Sequence, residues 1–132
     1  MQLGNYRFCA LGALYDGEKS HYFDSCLHSL KNQTVVVPIF LVIGPIRDDL
    51  EDVLRKHYDL GITVIRKSKN QGLSSALQCG LMNVCNNYDY VIRFDSDDIN
   101  LPQRFEVIMD FILRNDSDML SSHMNEIDSS GR

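Results

Sequence analysis

Apolar positions along the chain alternate between strand-like runs and helix-like spacing. Tyr6–Leu14 is almost continuously apolar, as expected for a strand buried on both faces. Tyr22, Phe23, Cys26, Leu27 and Leu30 then recur at helical spacing. Val35–Ile43 is β-branched and apolar, with Pro38 inside it, and predicts a second strand. Leu50, Val53 and Leu54 mark a second helix closed by Gly61, and Ile62–Ile65 a short third strand. Leu73, Ala76, Leu77, Gly80, Leu81 and Val84 share one face of a third helix. Tyr90–Phe94 is a fourth strand running directly into Asp95. Pro102 opens a fourth helix with Phe105, Ile108, Met109 and Ile112 on its inner face. Met119–Ile127 reads as a fifth strand.

This β-α-β-α rhythm with short connections predicts an α/β fold, a mostly parallel sheet with helices on both faces. Ligands of such sheets bind outside the carboxyl ends of the strands, so those ends carry the functional question. With 132 residues the chain fits one domain, and neither an internal repeat nor a low-complexity segment interrupts it.

Charge and composition narrow the partners. A net charge of -5, with no basic cluster beyond Arg66, Lys67 and Lys69, argues against nucleic acid. No stretch reaches the ~20 apolar residues that cross a bilayer, and Met1–Tyr6 lacks the basic start of a secretory signal. The expected location is therefore cytoplasmic. Cys9, Cys26, Cys79 and Cys85 form no C-x-x-C pair and fall in apolar segments, which predicts buried thiols rather than zinc ligands or disulfides. His21, His28, His57 and His123 show no metal-ligand spacing and read as solvated or half-buried.

The strand ends differ in what they offer. After the first, Leu14-Tyr15-Asp16-Gly17 places a tyrosine that either lies against a nucleobase or closes the core edge. After the second, Gly44-Pro45 is followed by Asp48 and Asp49, acids suited to a helix N-terminus. After the third, Lys69-Asn70-Gln71-Gly72 suits a tight turn, and Ser74 or Ser75 can cap the next helix. Open N–H groups there could meet a phosphate. After the fourth comes Asp95-Ser96-Asp97-Asp98. Crowded carboxylates repel unless solvated, capping or holding a cation. A helix cap needs only Asp98 or Asn100 and leaves Asp95 and Asp97 idle; a Mg²⁺-type site employs carboxylates together with substrate phosphates. There is no G-x-G-x-x-G and no P-loop.

Taken in order, the pieces resemble a family-2 glycosyltransferase of the GT-A fold. They are the strand with Tyr15, Cys26-Leu27-x-Ser29-Leu30-x-x-Gln33-Thr34, Gly44-Pro45-Ile46, Lys69-Asn70-x-Gly72-Leu73-Ser74-x-Ala76-Leu77 and Asp95-Ser96-Asp97-Asp98-Ile99-x-Leu101-Pro102-x-Arg104-Phe105. The Gly-Pro-Ile turn and Arg93 look closest to bacterial exopolysaccharide transferases of the amylovoran-biosynthesis type. The resemblance implies that residues 1–132 form the nucleotide-sugar-binding part of such an enzyme. It implies sugar transfer from a nucleoside diphosphate donor, UDP-sugar favoured, to a glycan or lipid-linked acceptor hydroxyl, with inversion and in bacterial surface polysaccharide synthesis. Carried over by position, Tyr15, Asn70, Gly72, Asp95 and Asp98 bind the donor, and Asp97 binds the divalent metal, Mn²⁺ or Mg²⁺. Such enzymes often work peripherally at the inner face of the plasma membrane.

Two departures from the family pattern stand out. The aspartate that usually reads the base at the end of the second strand is Ile43 here. The chain also ends at Arg132, so the acceptor-binding half and its general base are expected outside it; Glu126 and Asp128 come too early for that role. A truncated, non-catalytic binding module is the alternative, and on either reading self-association through the face left uncovered is expected. A nucleotidyltransferase would need a Gly-rich loop where Leu11-Gly12-Ala13-Leu14-Tyr15 stands. A receiver domain would carry its acids after other strands.

Overall fold

The computed structural model describes residues 2–132; Met1, the first residue of the stretch read for a secretory signal, lies outside the described residues. The chain runs β1 (Gln2–Leu3), β2 (Tyr6–Leu14), α1 (Ser20–Lys31), β3 (Ile39–Ile43), α2 (Asp48–Lys56), β4 (Thr63–Arg66), α3 (Leu73–Val84), β5 (Tyr90–Asp95) and α4 (Arg104–Asn115). A 3₁₀ turn, Tyr58–Leu60, follows α2 and is closed by Gly61 at φ 67°. β2 pairs in parallel with β3 and β5, and β3 in parallel with β4, so the parallel order is β4-β3-β2-β5. β1 adds a short antiparallel pair to the start of β2.

The strand order dictates where the helices go. The two crossovers through α1 and α2 step in one direction from β2, and the third, through α3, steps back past β2 to β5. Right-handed crossovers therefore send α3 to the opposite face from α1 and α2. Side-chain parity agrees. Phe8, Ala10 and Leu14 of β2 join Ile39, Leu41 and Ile43 of β3, with Phe23, Cys26, Leu27, Leu50, Phe105, Met109 and Ile112 from α1, α2 and α4. On the other face Gly80 of α3 approaches so closely that a Cβ there would lie 2.6 Å from Leu11 and 3.0 Å from Val42.

Four expectations change. The second strand begins at Ile39 rather than Val35, because Pro38 has no N–H to donate; its carbonyl still accepts from Ala10 N at 2.8 Å. On α3, Gly80 and Val84 are buried but Leu73 and Leu81 are exposed, since one helix against a sheet covers only its inner line of residues. No strand forms over 119–127, where Met119, Met124 and Ile127 are exposed; among the described residues no strand edge pairs with that segment. Cys9 and Cys26 are buried, but Cys79 is half-buried and Cys85 exposed at the end of α3; all four are free thiols.

Candidate functional site

A cleft of about 450 Å³ opens at the carboxyl edge of the sheet, on the α3 side. It lies where the strand order reverses, between β2 and β5. Register explains its floor: Ala13 sits opposite both Val42 and Asp95, and all three line the cleft. Its walls are Tyr15 and Glu18 after β2, Lys67, Lys69, Asn70, Gln71 and Gly72 after β4, and Ser96 and Asp97 after β5. Of the residues singled out in the sequence, Tyr15, Asn70, Gly72, Asp95 and Asp97 thus come together, and Asp98 stands outside the lining.

Tyr15 is 62% exposed and lies over Gly17, so it forms a lip of the cleft rather than a seal on the core. The acidic segment leaves the sheet at Asp95 and turns tightly, Asp98 N donating to Asp95 O at 3.2 Å. Asp95 Oδ1 accepts from Arg93 Nη2 at 3.2 Å. The Asp98 carboxyl is held above its ordinary range, first by lost hydration and then by Asp97 and Asp95, against the opposing pull of Arg104. Arg104 anchors the turn through Asn100 Oδ1 and Arg93 O, both at 2.8 Å.

The end of α1 grips this segment from below. Cys26 Sγ donates to Asp95 O at 3.3 Å, and its thiol is pushed up to about 12, chiefly by burial. Ser29 Oγ accepts from Asn100 N at 3.0 Å. Gln33 donates to Leu101 O at 2.8 Å and accepts from Phe105 N at 3.0 Å. The spaced polar positions of the Cys26–Thr34 segment are therefore the underside of the acidic loop. The capping alternative for that loop does not hold: α4 has Gln103 at its N-cap with no side-chain cap, and Asn100 is spent on Ser29 and Arg104.

The opposite wall is basic. Lys67 Nζ donates to Ser75 Oγ at 2.7 Å, so Ser75 receives the lysine instead of capping α3. Gly72 (φ 91°) precedes the helix without any side-chain cap, and Ser74 and Ser75 lie inside it. Asn70 donates to Pro45 O at 2.9 Å, tying this wall to the turn after β3. The tie requires glycine at 44, because a Cβ there would lie 2.1 Å from Asn70 Oδ1.

The remaining expectations fall elsewhere. Ile43 is fully buried in the core, and Gly44 occupies the cleft edge beside it. Neither Asp48 nor Asp49 lines the cleft; Asp49 accepts from Arg47 at 3.0 Å, which lowers its carboxyl. His57 is buried instead of solvated or half-buried, paired with Asp24 at 2.6 Å. The sequence reading missed Glu18, Ser96, Lys67 and Lys69 as wall residues. The two lysines stand just before Asn70-x-Gly72, and their only signals were that neighbourhood and their place in the short basic run with Arg66.

A cleft with carboxylates on one side and two lysines and a helix start on the other suits an anion that arrives with a cation. Among the described residues no three His, Cys, Asp or Glu side chains converge on a metal position. A hard divalent ion held by one or two carboxylates takes its other oxygens from water and phosphate, which fits Asp97 and Asp95.

Comparison with known proteins agrees with this geometry. The profile of Glycosyl transferase family 2 matches residues 15–131. The UDP-Gal:alpha-D-GlcNAc-diphosphoundecaprenol beta-1,3-galactosyltransferase of Escherichia coli is 37% identical over 127 residues, covering 92% of this chain and 45% of that protein. The amylovoran biosynthesis glycosyltransferase AmsE of Erwinia amylovora is 36% identical over 102 residues, covering 75% and 38%. The chain thus spans less than half the length of these curated relatives. Among solved structures, S. aureus TarS 1-349 in complex with UDP-GlcNAc superposes with a TM-score of 0.75 at 19% identity, over 94% of this chain and 37% of that one. The mannosyltransferase PcManGT from Pyrobaculum calidifontis, in complex with GDP-Man and Mn²⁺, gives 0.64 at 17% identity, over 77% and 30%. These likenesses make the fold that of GT-A transferases. With the family profile running from the lip at Tyr15 through the acidic turn and beyond α4, the chain belongs to glycosyl transferase family 2.

Proposed function

We propose that this chain is the donor-binding part of a metal-dependent glycosyltransferase that uses a UDP-sugar and serves bacterial surface polysaccharide synthesis. The observation that carries the reading is the convergence of Tyr15, Lys67, Lys69, Asn70, Gly72, Asp95 and Asp97 on one cleft at the strand reversal. Tyr15 offers a flat apolar surface to the base. The lysines and the open N–H groups at the start of α3 face the diphosphate. Asp97, with Asp95 beside it, would hold Mn²⁺ or Mg²⁺; such an ion neutralises charge on a departing diphosphate. Asp98 supports the loop from outside the lining.

No residue of this chain is assigned as general base. Glu126 and Asp128 are exposed and line no part of the cleft. Inverting transfer to a glycan or lipid-linked acceptor is the reaction proposed for the whole enzyme. The E. coli relative is named for a diphosphoundecaprenol-linked acceptor, which supports work at the cytoplasmic face of the plasma membrane. No helix among the described residues is long and apolar enough to cross a membrane.

Calorimetric titration of UDP with Mn²⁺ and then with EDTA tests the donor site. Binding that needs the metal and disappears in Asp97→Asn supports it. Absence of binding by UDP, GDP and other nucleoside diphosphates overturns it and leaves a binding module without a donor site.

A further inference from the structure

Glu18 is only 4% exposed, although a carboxylate three residues beyond an exposed tyrosine would ordinarily face water. Burying a charge is unfavourable unless its oxygens are partnered. Both are: Oε2 accepts from Ser96 Oγ at 2.6 Å and Oε1 from Lys19 N at 3.1 Å. Ser96, itself 5% exposed, is the middle residue of Asp95-Ser96-Asp97. The main chain of Glu18 is held as well. Its N–H donates to Tyr15 O at 3.2 Å, and its carbonyl accepts from Arg47 Nη2, whose neighbouring Nη1 holds Asp16 O. One residue therefore joins the tyrosine lip to the acidic loop, across a sequence separation of 78. Removing this side chain would leave the Ser96 hydroxyl buried without a partner, in a place where three further carboxylates push one another apart.

We propose that Glu18 is a positioning residue: through Ser96 it fixes the acidic loop so that Asp95 and Asp97 face the cleft together, and it ties that loop to the Tyr15 lip. The proposal rests on the donor-site reading above for its functional consequence, and its structural consequence stands independently of that reading. Geometry, not charge, is the active element. A glutamine can keep both contacts, its oxygen taking Lys19 N–H and its amide meeting the Ser96 hydroxyl, which can turn to accept.

Amide hydrogen exchange of residues 95–100 without nucleotide, combined with UDP titration at saturating Mn²⁺, tests this in Glu18→Ala, Ser96→Ala and Glu18→Gln. Ser96→Ala removes the same bond by a small change, which keeps the test decisive where Glu18→Ala fails to fold. Loss of a buried hydrogen bond predicts exchange in 95–100 about tenfold faster in the alanine variants, with peptides from β2 and α4 unchanged. UDP affinity falls about tenfold in the same variants, the usual cost of losing a partner behind a metal ligand. Glu18→Gln stays near wild type in both measurements. Unchanged exchange in folded Ser96→Ala overturns the proposal, as does equal loss in Glu18→Gln and Glu18→Ala, which would make charge the cause. Wild-type protein that binds no UDP defeats the donor-site reading alone, and exchange then decides the positioning role.

Discussion

The two faces of the sheet are built to different ends. On one, Phe8, Ala10, Leu14, Ile39, Leu41, Ile43, Ile92 and Phe94 lie beneath three helices, every one of them 5% exposed or less. On the other, α3 alone covers Leu11 and Val42, while Arg93 is exposed, Asp95 half-buried, and the carboxyl edge opens into the cleft. The closed face supplies the larger share of the hydrophobic stabilisation, with a smaller one from Leu11, Val42 and Val84 under α3, and holds the acidic loop through α1. The open face spends its positions on charge and space. Stability and the cleft are thus largely separable here, and substitutions in the core and at the cleft edge should give opposite signatures.

The largest stability loss is expected from Leu41→Ala on the closed face. Truncating a fully buried leucine costs about 2–5 kcal/mol, read as a lower denaturation midpoint in urea. Loss of metal-dependent UDP binding in the fraction that remains folded would break the separation of faces. Gly80→Ala comes next. A methyl group there pushes into Leu11 and Val42 and should cost about 1–3 kcal/mol by overpacking, less if Leu11 changes rotamer.

A smaller effect comes from Asp24, whose carboxyl is lowered first by its hydrogen bond to His57 and further by Lys56. With the folded value depressed, the unfolded chain binds more protons in the acid range. The contribution is present above the ordinary aspartate range and is lost as pH falls through the depressed folded value. Because Asp24 is partly exposed, it amounts to about 1 kcal/mol or less. Asp24→Asn should flatten that part of the acid limb in pH-dependent melting; an unchanged limb would assign it to other carboxylates.

The smallest stability change is expected from Asp97→Asn, within about 0.5 kcal/mol, because the side chain is exposed. Metal-dependent UDP binding should nevertheless be lost. A large drop in melting temperature for Asp97→Asn would mean that the cleft edge carries stability as well.

Much of this was legible in the chain. Tyr6–Leu14 is a strand with the expected bounds because nine residues of near-continuous apolarity suit only a strand covered on both sides. Asp95 and Asp97 stood out because clustered acids at a strand end are hard to account for otherwise. The misses share a cause. Met119–Ile127 has scattered apolar residues, only Ile127 of them β-branched, and no partner edge among the described residues, and Leu73 and Leu81 have a buried helix's spacing without a second layer above them. Local pattern reports what a segment can do, and pairing and cover come from elsewhere in the chain.

Period and turn residues by themselves determined the order of the main elements, the α/β class and the acidic turn, since each is written within a few consecutive positions, and the ordered motifs carried the resemblance to the family. Only the tertiary structure decided that Glu18 meets Ser96, that Gln33 holds Leu101 and Phe105, that Lys67 and Lys69 face the acids, and that Ile43 lies in the core. Those are contacts between segments far apart in sequence, set by strand register and by the hand of the crossovers, and no local window contains both partners.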